Sequence, residues 1–269
     1  MNINLKFCYS MTNETENQMV RSYFTLHCIP QDTARQRIID LDIRISPYDT
    51  LSESFDEFGN KMYVGQIFQN HKVFSLDIFG SAVTGLNVYE EILEDEDLSK
   101  AAIYKYPTRL TTKDDAVSNY YEKVRLDKYS KAYDKALFLN DRIAADLEYK
   151  KGVTHTGTAA GEALKESGGV CQDFAHIMLA LLRIDKIPCR YVTGLLVGEG
   201  ESHAWVEVLC GKYWYGFDPT NRTLVAENYI KLSHGRDAKD CLINKGVFYG
   251  GGNQKMSVMS RVEAESAQQ

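Results

Sequence analysis

The chain has 269 residues, 44% hydrophobic and 25% charged, an ordinary globular balance with enough apolar material for a sizeable core and a length that favours two domains. Its 31 basic and 37 acidic side chains give a formal charge of −6 with no basic run, which argues against a nucleic-acid partner, since that binding depends on Lys and Arg neutralising phosphates. The longest strongly apolar run, 177–182, is far short of the roughly 20 residues that span a bilayer, so no membrane partner is expected.

The first residues, Met1 to Cys8, alternate like a strand and lack the cationic start, apolar stretch and cleavage site of a secretory leader, so a cytoplasmic protein is expected. The cysteines fall at 8, 28, 171, 189, 210 and 241 with no CxxC pair; reduced thiols are expected, without a zinc site or a disulfide framework. From residue 3 to about 90, β-rich stretches such as 23–29, 37–45 and 72–78 alternate with turn punctuation, including Asp56 to Asn60, and this spacing predicts a β-sandwich over 1–95. The acidic stretch 90–97 and the Tyr- and Lys-rich segment after it read as a connector over 96–128, with the charge run as a solvated face.

Helical periodicity begins near Tyr129, where Ala132, Ala136, Leu139, Ile143 and Leu147 recur at three- and four-residue steps, opening a second domain over 129–269. A short helix is predicted near 158–165. Gly168-Gly169 then breaks the chain before a helix starting near Cys171, whose apolar residues cover most of its circumference and predict deep burial. Period-two strands follow at 189–197, 203–210 and 212–218, with a further strand pair between 246 and 262.

A lone buried cysteine is usually a small hydrophobe. Cys171 differs in its position at the first turn of a helix, where unpaired backbone N–H groups favour the thiolate and could also stabilise an oxyanion on a carbonyl that the sulfur attacks. Such a nucleophile needs a group that accepts a proton and later protonates a leaving amine, and histidine suits this near neutral pH. His203 opens a predicted strand. A turn at Cys210-Gly211 would pair Leu209 with Lys212 and set His203 opposite Asp218, whose carboxylate would hold the imidazole's tautomer and orientation. Cys171, His203 and Asp218 are thus the candidate catalytic triad. Gln172 is a candidate oxyanion donor or structural hydrogen-bonder, and Trp205, on the same strand face as His203, a candidate border of the site or core residue. Asp173 is expected to anchor the helix start, Arg236 and Asp237 to pair, and His155, His176 and His234 to be structural.

The runs Gly168-Gly169-Val170-Cys171-Gln172-Asp173-Phe174-Ala175-His176, Ile187-Pro188-Cys189-Arg190-Tyr191-Val192-Thr193-Gly194, Ser202-His203-Ala204-Trp205-Val206-Glu207-Val208 and Gly216-Phe217-Asp218-Pro219-Thr220-Asn221 closely resemble bacterial transglutaminase-like proteins, often described as candidate cysteine proteases. The first 90 or so residues resemble, more loosely, the β-sandwich region that precedes the catalytic domain in such proteins. The resemblance implies an α+β fold with a papain-like, transglutaminase-like core of helices packed on an antiparallel sheet. It assigns Cys171 as nucleophile, His203 as base and acid, and Asp218 as orienter. The sequence departs from the family at Cys189, where Ala is common, read as a packing change. The function expected is amide or peptide hydrolysis through a thioester, on a protein or peptide substrate, with no metal or organic cofactor. Cross-linking transfer of a glutamine acyl group to a lysine, and a non-catalytic binding module with a vestigial triad, stay open. Nothing in the pattern speaks to oligomeric state.

Overall fold

The computed structural model describes residues 2–92 and 94–265; Met1, the last four residues and Leu93, inside the acidic stretch, lie outside the described residues. The first element, β1 (Ile3–Leu26), is one 24-residue strand where shorter strands were expected. Its polar middle, Thr12 to Gln18, interrupts the apolar alternation and reads as a turn, but it contains no Gly or Pro to stop the extended chain. There follow β2 (Gln36–Ser46), β3 (Thr50–Phe55), β4 (Lys61–Ile67), β5 (His71–Thr84) and β6 (Tyr89–Glu91).

Next come α1 (Asp95–Lys100), α2 (Asp115–Val124), α3 (Ala132–Asp146), β7 (Glu148–Tyr149), α4 (Ala160–Lys165), β8 (Gly168–Gly169) and α5 (Cys171–Ile184). The segment read as a connector therefore holds a helix. Asp114 caps α2 by accepting from Val117 N at 2.9 Å, and Val117, Tyr120 and Val124 bury one helical face. The chain ends with β9 (Cys189–Leu196), β10 (Gly198–Gly200), β11 (His203–Cys210), β12 (Tyr213–Asp218), β13 (Thr223–Leu224), β14 (Tyr229–Gly235), β15 (Asn244–Gly250) and β16 (Gln254–Ala264).

Two larger antiparallel sheets carry the fold. In the eight-stranded one, β1 lies between β5 and β16 over its first half and between β4 and β15 over its second, so one strand threads both parts of a curled sheet. The strands β15 and β16, remote in sequence, thus complete the N-terminal sheet. The six-stranded sheet has β13, β12, β11, β9 and β14 in order, with β6 added alongside β12. Helices cover one face of it through a core that includes Leu139, Ile143, Phe174, Met178, Val206 and Phe217. A second core joins Leu5, Phe7, Leu76 and Ile78 of the N-terminal sheet to Leu195, Ile230 and Leu232 of this sheet. Packing on both faces buries β9 along nearly its whole length, Arg190 and Thr193 included, where period-two alternation was expected.

The β11–β12 hairpin corrects the expected register. The turn residues are Gly211 and Lys212, with Gly211 at φ +69°, so Cys210 pairs with Tyr213 and Val206 with Phe217. Glycine at the first turn position suits a tight hairpin. Extending the ladder sets Trp205, two residues on from His203, opposite Asp218. The shift is an even number of residues, so His203 and Asp218 keep a common face and meet diagonally. Arg236 also differs from expectation, pairing with Asp240 at 2.8 Å where Asp237 was expected.

Behind Trp205 a buried charge network ties the layers together. Glu207 is held by Arg190 at 2.7 Å, Lys231 at 2.8 Å and Arg35 at 3.6 Å, and Arg190 also reaches Glu90 at 3.0 Å. Burial pushes the Glu207 carboxyl up, but Lys231, Arg190 and Arg35 outweigh it and hold the group well below its ordinary range. Removing one partner from a buried network strands the others, at a cost of about 3–5 kcal/mol. Glu207→Ala should lower stability by that order, read as a fall in the urea unfolding midpoint; a midpoint unchanged from wild type would show that the network contributes nothing net.

Candidate active site

The start of α5 is set by close packing. A Cβ on Gly168 would lie 2.3 Å from Glu148 O, and one on Gly169 would lie 2.3 Å from Asp173 Oδ2. Only glycine lets β8 pass between β7 and the helix. Asp173, as expected, anchors the turn: its Oδ2 accepts from Val170 N at 2.8 Å and from Thr154 Oγ1 at 2.6 Å. Burial nonetheless lifts its carboxyl above the ordinary value, against those two hydrogen bonds.

Cys171 is the first residue of α5. The amides of Asp173 and Phe174 turn back to Val170 O at 2.9 and 3.3 Å, and the amides of Cys171 and Gln172 precede any intrahelical acceptor. The half-buried Cys171 opens with His203 onto a cleft of about 470 Å³ whose other walls include Tyr149, Lys151 and the segment 198–202. That segment reaches the cleft because β10 pairs with β16 of the N-terminal sheet.

His203 sits at the start of β11 with its Nε2 2.7 Å from Asp218 Oδ2, leaving Nδ1 as the nitrogen available to the sulfur. Burial pulls the imidazole down, but hydrogen bonds to Asp218 and Cys171, and their charges, overcome it and raise His203 to about 10. Asp218 has no solvent exposure. Its Oδ1 accepts from the amides of Thr220 at 3.0 Å and Asn221 at 3.2 Å, and its Oδ2 from His203, from Asn221 Nδ2 at 2.7 Å and from Tyr229 OH at 2.9 Å. Burial would raise this carboxyl; the donors, His203 foremost, hold it below its ordinary value.

The other expected residues lie around this centre. Gln172 is half-buried outside the cleft lining. Trp205 is 1% exposed, with its ring 6.4 Å from that of His203 and edge-on to Tyr229 at 5.4 Å, so it packs beneath the imidazole and does not border the cleft. Its Nε1 has no hydrogen-bond partner among the described residues. His176 is buried and pulled down to about 3 by burial and Arg183; its Nε2 accepts from Ala238 N at 3.2 Å. His234 lies 3.2 Å from Arg190 Nη1, His155 Nδ1 accepts from Gly157 N at 3.0 Å, and Cys189 is buried in the core. Sequence reasoning missed Tyr229 and the cleft wall of 198–202. Tyr229 opens an apolar alternation with Ile230 and Leu232 that could have marked a strand, but not what its hydroxyl meets. No group of three or more His, Cys, Asp or Glu placed to hold a metal occurs among the described residues.

Residues 118–219, which contain Cys171, His203 and Asp218, match the transglutaminase-like superfamily, and residues 15–85 match the bacterial transglutaminase-like N-terminal region. An uncharacterized protein of Mycobacterium leprae is 40% identical over 126 residues, covering 43% of this chain and only 45% of that relative. An uncharacterized protein of Mycobacterium tuberculosis is 28% identical over 279 aligned positions, covering 90% of this chain and 87% of its own. A crystal structure of a candidate cysteine protease from Cytophaga hutchinsonii shares the fold at TM-score 0.80 and 24% identity, covering 100% of this chain and 92% of its own.

The two shifts predict how stability depends on pH. His203 lies above its ordinary 6.5, so its contribution is complete below about pH 6.5 and fades as pH rises toward about 10. Asp218 lies below its ordinary 3.8, so its contribution is present above that value and is lost as pH falls through the depressed one. The stability difference between wild type and His203→Gln, from urea unfolding, should therefore shrink between about pH 6 and about pH 10. A difference that stays constant over that range would contradict the ion pair.

Proposed function

We propose, from the premise that this chain joins a transglutaminase-like core to a bacterial transglutaminase-like N-terminal region, that it is a cysteine-dependent hydrolase of protein or peptide amide bonds. The observation that carries the reading is the line from buried Asp218 through His203 to Cys171 at the edge of an open cleft. A raised imidazole beside a helix-start sulfur supports His203 as the proton donor to the leaving amine.

In this mechanism the Cys171 thiolate attacks the amide carbonyl and the C–S bond forms. The oxyanion is met by the backbone amides at the start of α5. His203 gives its proton to the leaving amine as the C–N bond breaks, leaving a thioester. Neutral His203 then takes a proton from water, the hydroxide attacks the thioester, and the carboxylic acid leaves as the thiolate and imidazolium are restored. Asp218 keeps the imidazole in one tautomer and stabilises its charge throughout. The related solved structure described as a candidate cysteine protease agrees with a hydrolytic outcome. A primary amine entering in place of water would make the same site an acyltransferase.

Mass spectrometry of a glutamine-containing peptide incubated with and without a primary amine separates these outcomes: hydrolysed product alone is expected, and an amine adduct as the main product would replace hydrolysis with transfer. Asp218→Asn should lower kcat by roughly 10²–10⁴-fold, and Cys171→Ala should abolish turnover. If an accessible Cys171 is alkylated by iodoacetamide at mildly acidic pH no faster than Cys8, the binding-module reading takes over.

A further inference from the structure

We propose that Tyr229 is a positioning residue for the Asp218–His203 pair, held in place by Thr223 and by Gln36 of the N-terminal region; the proposal deepens the catalytic reading above and rests on it for its consequence in turnover. Three donors converge on Asp218 Oδ2: His203 Nε2 at 2.7 Å, Asn221 Nδ2 at 2.7 Å and Tyr229 OH at 2.9 Å. Asn221 follows Asp218 in the same turn and moves with it. Tyr229 comes from β14 and is the tie that fixes the carboxylate against a different part of the sheet.

The phenol is itself fixed. Thr223 Oγ1 lies 2.9 Å from Tyr229 OH, so with the Tyr229 proton directed at Asp218 the Thr223 hydroxyl donates to the phenolic oxygen. The ring packs edge-on against Trp205, whose own ring faces His203. The backbone is held from outside the catalytic sheet. Gln36 Oε1 accepts from Lys231 N at 2.8 Å and Gln36 Nε2 donates to Lys231 O at 2.9 Å, taking the place of a neighbouring strand on the edge of β14. Arg35 donates to Val225 O and Thr84 to Glu227 O, gripping the approach to the same strand. The N-terminal region therefore sets the height at which the Tyr229 hydroxyl meets Asp218. The groups that face the imidazole are Cys171 from α5, Asp218 and Asn221, with the rings of Trp205 and Tyr229 at 6.4 and 6.2 Å; the Tyr229 hydroxyl, which Tyr229→Phe removes, acts on it through the carboxylate.

Tyr229→Phe keeps the ring and removes the donor. Asp218 then becomes the stronger acceptor, so the His203 titration, followed by NMR of its ring carbon, should move upward by about half a unit or more. Thr223→Val should move it the same way by less. In turnover, the freer carboxylate should lower kcat by roughly tenfold with KM within about twofold. A merely structural role would lower the melting temperature and leave the titration where it is. A Tyr229→Phe titration that is unchanged or moves downward overturns the proposal. The titration needs no substrate, so failure of wild-type Cys171 to alkylate at mildly acidic pH would sink the catalytic reading separately.

Discussion

A carboxylate with no exposure to water is the constraint on which this structure turns. Taking such a charge out of solvent costs several kcal/mol unless donors replace the lost water. Asp218 meets five donors: two backbone amides of its own turn, the Asn221 side chain, the His203 ring and the Tyr229 hydroxyl. Each fixes something else in return. The turn after β12 must close tightly, β11 must present His203 at its first residue, and β14 must bring an aromatic hydroxyl to within hydrogen-bonding distance. The imidazole that results is raised in a place where burial alone would lower it.

The helix that supplies the sulfur is constrained just as closely from its other side. Two glycines permit the approach of Glu148 and Asp173, and Asp173 ties the first turn to Thr154. The segment carrying Tyr149 and Lys151 is thereby held beside Cys171, since β7 pairs with β8 and Lys150 N donates to Gly169 O at 2.8 Å. Cys171 and the cleft wall are positioned by one set of contacts.

The N-terminal region does more than sit beside the six-stranded sheet. Its core is shared with β9 and β14, its Arg35 joins the network around Glu207, and its sheet accepts β10, which walls the cleft. Glu207 lies on the face of β11 that also carries His203 and Trp205, so the charge network supports the strand that presents the imidazole. The solved relative from Cytophaga hutchinsonii, matched over 100% of this chain, has the same combined architecture.

Local pattern made much of this legible. The periodicity of Ala136, Leu139 and Ile143 marked α3, the apolar circumference after Cys171 marked a buried helix, and the alternation from His203 to Cys210 marked β11 with its boundaries. The helix α2 was missed because its apolar face is only Val117, Tyr120 and Val124 within a highly charged run, and the length of β1 was hidden by its polar middle. The register of the β11–β12 hairpin depended on which two residues turned, a choice made by Gly211 at positive φ; parity still delivered His203 and Asp218 to one face. Residue chemistry and spacing alone determined that Cys171 opens a buried helix and that His203 and Asp218 share a hairpin face, because both follow from short-range geometry. Tertiary structure alone decided that β15 and β16 complete the N-terminal sheet, that β10 walls the cleft, and that Tyr229 meets Asp218, because these depend on contacts between segments whose separation along the chain leaves no periodic trace.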